Sequence, residues 1–86
     1  MTFDHDGESI AIAMRQQAVQ SWLVVVRPSL WPRNMIATAA SPEDCARLGL
    51  ERFSSTLRKN GRPPLSAEQK ADLLARLIEE QGPIAH

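Results

Sequence analysis

Residues Trp22–Leu57 read WLVVVRPSLWPRNMIATAASPEDCARLGLERFSSTL. Three consecutive valines beside Trp22 and Leu23 are stiff side chains that favour a strand, and the run is placed at about 19–27. Trp22, Val24 and Val26 alternate with Leu23 and Val25, so both faces of this strand are apolar, as in strands that are central in a sheet or covered on both sides. Pro28 lacks a ladder donor and ends it. Pro28 to Arg33 is a loop stiffened by Pro28 and Pro32. Met35 to Ala40 is a second, shorter strand with small side chains after Ile36, which predicts a hairpin (about 19–27 and 35–40) with something bulky packed over it. A lone hairpin is marginal in water, so other elements must complete it.

Ser41-Pro42-Glu43-Asp44 is the clearest helix start: an N-cap serine, proline at the first helical position, and acids at the positive end of the dipole. This helix is predicted over about 42–58. Ala46, Leu50, Phe53 and Leu57 form its apolar face, and Gly49 beside them would let it approach the sheet closely. Asn60-Gly61 supplies the left-handed stop. Ser66-Ala67-Glu68-Gln69 is a capping box that opens a second helix over about 66–81, with a stripe of Leu73, Leu74, Leu77 and Ile78.

Upstream, 8–20 (ESIAIAMRQQAVQ) fits two periods. Ile10, Met14 and Ala18 recur at helical spacing, while Ile10 to Met14 also alternates as a strand would. The alanines, poor strand formers, tip the reading to helix, with a third strand as the alternative. Residues 1–7 read as a flexible tail, 8–82 as one small α+β domain with an antiparallel sheet packed by helices, and 83–86 as a C-terminal tail. The 86 residues suffice for one domain, and a domain of this size is marginally stable.

Composition bounds function. Ten basic and ten acidic residues cancel, unlike the basic excess of a strongly electrostatic nucleic-acid binder. Ser9 to Arg62 is nonetheless basic, and Asp4, Asp6 and Glu8 make the N-terminus acidic. The single cysteine forms no intrachain disulfide and fits a reducing compartment. The longest wholly apolar run, Trp22 to Val26, is far too short for a bilayer, so the chain is expected to be cytoplasmic and without membrane contact.

No catalytic or metal site is expected. Asp4-His5-Asp6, Cys45 and His86 are too few and too scattered for a structural zinc site. Cys45 lies in the first turn of a helix, where a thiol pKa falls, but no base is placed beside it. The four glycines are isolated, so no phosphate loop exists. The chain is read as no enzyme, with no cofactor.

Two surfaces remain. The loop places Leu30 and Trp31 between prolines, flanked by Arg27 and Arg33. Trp and Arg dominate interface energetics, and a stiff loop loses little entropy on docking. Trp31 has an equally good alternative, folding over the small strand 35–40 as core. The second surface is the basic turn 58–62, with Arg58, Lys59 and Arg62. Gly61-Arg62-Pro63 resembles the core of an AT-hook, which would imply Arg62 entering an A·T-rich minor groove; the three residues that follow are Pro64, Leu65 and Ser66. The second helix is acidic, which disfavours it as a DNA reader.

A protein partner is therefore expected, with nucleic acid as the alternative through the basic turn and a homodimer as a further option through a sheet edge or helix face. In size, charge balance and architecture the chain resembles accessory proteins of phages and plasmids, the anti-CRISPR class among them. The resemblance implies a small inhibitor or adaptor of a larger macromolecular target.

Overall fold

Asp6-Gly7 and Val19-Gln20 turn the chain back on itself twice within its first 28 residues. Asp6, Gly7 and Gln20 all have positive φ, at 52°, 75° and 56°. Two positive φ values in a two-residue connection make the primed turn whose twist matches that of paired strands. The computed structural model describes residues 1–30 and 34–81. It places strands β1 (Thr2–His5), β2 (Glu8–Ala18), β3 (Ser21–Pro28) and β4 (Met35–Ala39), followed by helices α1 (Pro42–Lys59) and α2 (Ala67–Gln81). The strands form one antiparallel sheet in the order β1-β2-β3-β4. The fold is α+β, with hairpin and helices where the sequence places them.

Upstream, the structure chooses between the two readings of 8–20 and changes that of the N-terminus. The segment 8–20 is a strand as far as Ala18 rather than the slightly favoured helix. Glu8, Ile10, Ile12 and Met14 alternate inward, and the alanines between them point to the other face. Residues 2–5, expected in a loose tail, form the edge strand β1, paired from Thr2↔Ala11 to His5↔Glu8. The chain terminus is tied down as well: the Met1 ammonium donates to Ile12 O at 2.8 Å, and Ile12 N donates to Met1 O at 2.8 Å. Val19 belongs to the turn rather than to β3 and is exposed. The tail expected at 83–86 lies outside the described residues.

The core sits between one face of the sheet and the two helices. Ile10, Ile12, Met14, Trp22, Val24, Val26 and Ala37 meet Cys45, Ala46, Leu50, Phe53 and Leu57 of α1, with Leu65 and Leu73 and Leu77 of α2. Phe3 closes one end, its ring edge-on to Phe53 at 6.3 Å. Gly49 has the expected role: a Cβ there would lie 2.6 Å from a Val24 methyl, so α1 approaches β3 as only glycine permits. The caps also form as predicted. Ser41 Oγ accepts from Asp44 N. Ser66 Oγ accepts from Gln69 N while Gln69 Oε1 accepts from Ser66 N, a reciprocal capping box.

Candidate docking surface

Because side chains alternate along a strand, a sheet with helices on one side must leave every second residue on the other. On β3 these are Leu23, Val25 and Arg27. Strand register sets their neighbours. Val25 lies between Ala13 of β2 and Ile36 of β4; Leu23 lies between Arg15 and Thr38; Arg27 lies beside Ala11. Leu23 and Val25 are half-buried by these neighbours alone, and Ile36 is 57% exposed. Neither α1 nor α2 covers this face, since both pack on the inward residues; Arg52 of α1 reaches round only as far as the Ile36 carbonyl at the β4 edge.

The face is apolar at its centre and cationic at two corners. A shallow depression of about 300 Å³ lies among Ala13, Arg15, Leu23, Val25 and Arg27. A second, of about 360 Å³, lies among Thr2, Ala11, Ala13, Val25 and Arg27. Arg27 borders both. The ion pairs among the described residues include neither Arg15 nor Arg27.

The predicted loop contact starts at the end of this same strand. Leu30 is 70% exposed, and its backbone N–H donates to Glu8 Oε2 at 2.8 Å. Arg27 and Leu30 are both exposed near the end of β3, three residues apart in sequence. Trp31 and Arg33 lie outside the described residues. The carboxylate holding Leu30 is fully buried and ion-paired to Arg62 Nη1. Burial alone would raise its pKa, but the Leu30 N–H and the Arg62 guanidinium outweigh burial and hold Glu8 below its ordinary value. The hydrogen bond from Arg62 to Glu8 in turn raises the Arg62 pKa.

The basic turn does not present three cations together. Arg58 and Lys59 are exposed at the end of α1. Arg62 is turned onto Glu8 and Asp6, with 17% of its side chain exposed. Beside it, His5 is buried rather than part of a loose terminus. Its Nε2 lies 2.7 Å from Pro63 O and its Nδ1 3.2 Å from Gln69 Nε2. Gln69 Oε1 is committed to Ser66 N, so the Gln69 amide donates to Nδ1 and the ring donates to Pro63 O. Asp6, Glu8 and His5 therefore fasten the β1–β2 turn to the connector between the helices.

Cys45 lies fully buried in the first turn of α1, and its thiol donates to Ala37 O at 3.6 Å. Burial pushes the thiol pKa up, against the fall a helix N-terminus would give. Among the described residues no three His, Cys, Asp or Glu side chains are grouped as metal ligands would be. No helix among them is long and apolar enough to cross a membrane.

The sheet edges offer less than the face. β1 and β4 have four and five residues, and Arg52 Nη1 donates to Ile36 O on β4 at 3.2 Å. Short edges with a charged side chain over them resist strand addition. Sequence reasoning omitted Arg15, Leu23, Val25 and Ile36 from the site. The signal was present in β3, apolar on both faces in a chain with too few helices to cover both. No protein family, curated protein or solved structure matches this chain, so the case for function is carried by this geometry.

Proposed function

We propose that the protein is a non-enzymatic binding module, an inhibitor or adaptor of a larger protein target, and that it docks through the open face of its sheet. One observation carries the reading: Leu23, Val25 and Ile36 stand side by side on a face that neither helix covers. An uncovered apolar patch with a polar rim is a usual mark of an interaction surface. Arg27 and Leu30 extend the contact past the end of β3, and Trp31 and Arg33 continue it in sequence. Glu8 supports this by holding the Leu30 backbone in place, which lowers the ordering cost of docking.

The test is affinity capture with the full chain as bait in its native cell. The double substitution Val25→Thr/Ile36→Asp should abolish capture of the target while the thermal melt moves little, since Ile36 is exposed and threonine retains the strand preference of valine. Trp31→Ala should also weaken capture; a collapse of the melt would instead make Trp31 core, the alternative the sequence equally allows. Capture that survives Val25→Thr/Ile36→Asp at full strength rules out the open face.

A further inference from the structure

We infer, resting on that docking reading, that the occupant of the open face is a partner protein presenting an acidic amphipathic helix. The outward-facing charges set the chemistry. Arg15 and Arg27 stand at opposite corners of the apolar centre, and the acid nearest in the sheet is Asp4 on the edge strand β1, opposite Ser9. A second copy laid face to face would crowd the guanidinium groups of both subunits into one interface, and like charges in contact discriminate against such a pairing. A nucleic acid would find two cations around an aliphatic centre. Two cations in a chain of zero formal net charge give phosphates little to bind. An apolar surface edged by carboxylates satisfies both the centre and the corners.

The spacing accommodates a helix, whose backbone groups are satisfied internally and need no sheet edge to pair with. Arg15 is level with Leu23, and Arg27 lies four residues further along β3, which is about 13 Å along the strand. Carboxylates at i and i+7 of a helix are about 10.5 Å apart on one side, and the long arginine stems span the difference. Apolar residues at i+3 and i+4 would then lie over Val25 and Ala13. The inner face of the same sheet already packs against α1 and α2.

The test uses the full, isotope-labelled chain and two helical peptides with the same leucine stripe. One carries Glu at i and i+7 and the other Lys. Amide shifts should map to Ala11–Arg15, Leu23–Arg27 and Ile36, with the Glu peptide about tenfold tighter and its advantage shrinking as salt rises. Arg15→Glu/Arg27→Glu, both at exposed positions, should reverse the preference. Equal affinity for the two peptides at this face would overturn the acidic helix while leaving the docking reading intact. No shift with either peptide, or concentration-dependent dimerisation by light scattering that shifts the same amides, would overturn it too. The docking reading is then judged by the Val25→Thr/Ile36→Asp capture alone.

Discussion

Arg62 was read from its neighbours in sequence and is explained by residues far from it. Gly61-Arg62-Pro63 resembles a groove-binding tripeptide, but the guanidinium lies against Glu8, 54 residues away. The Glu8 side chain has no exposure, so removing its partner strands a charge in the interior. Arg62→Met should therefore lower unfolding free energy in urea by about 3–5 kcal/mol. Adding Glu8→Gln should recover much of that loss, because the charge needing the partner is gone. The same pair sets an acid limit. The folded-state pKa of Glu8 lies below its ordinary 4.5. Its contribution is complete above the unfolded value and is lost as pH falls below 4.5 toward the folded one. Glu8→Gln should flatten the decline of melting temperature with acid over that range, and an unchanged slope would refute the assignment.

Among the elements, those with end signals were legible. Ser41-Pro42, Asn60-Gly61 and Ser66 with Gln69 act through local hydrogen bonds, and each forms as read. The segment 8–20 was not, because over Ile10–Met14 a period of two and a period of nearly four both place apolar residues acceptably. Pairing with β1 and β3 decided for the strand. The Asp6-Gly7 turn was the missed local sign: Asp-Gly between alternating runs is a strong hairpin signal. Gly49 is the sharpest contact between elements. A methyl there meets Val24, and overpacking of about 1–3 kcal/mol exceeds the helix propensity gain of about 1 kcal/mol. Gly49→Ala should thus destabilise wild type in chemical denaturation. In a Val24→Ala background, which leaves space opposite, the same substitution should stabilise.

For the whole molecule, the sheet has one face in the core and one without, and that asymmetry is the basis of the functional reading. Ile36→Asp should leave the melting temperature within a few degrees of wild type, as exposed substitutions do, whereas Ile12→Asp on the inward face of β2, two strands away, should prevent folding. The contrast, followed by circular dichroism, tests which face is which. By itself the sequence determined the fold class, the hairpin centred on the valines, both helices with their caps, and the need for close approach at Gly49. These follow from propensities and hydrogen bonds that act within a few residues. Only the tertiary structure decided that β2 is a strand, that Arg62 and His5 turn inward, and that Leu23 and Val25 lie on a face without helices. Each depends on contacts across the chain, and alternation along a strand says which residues share a face but not which face the helices cover.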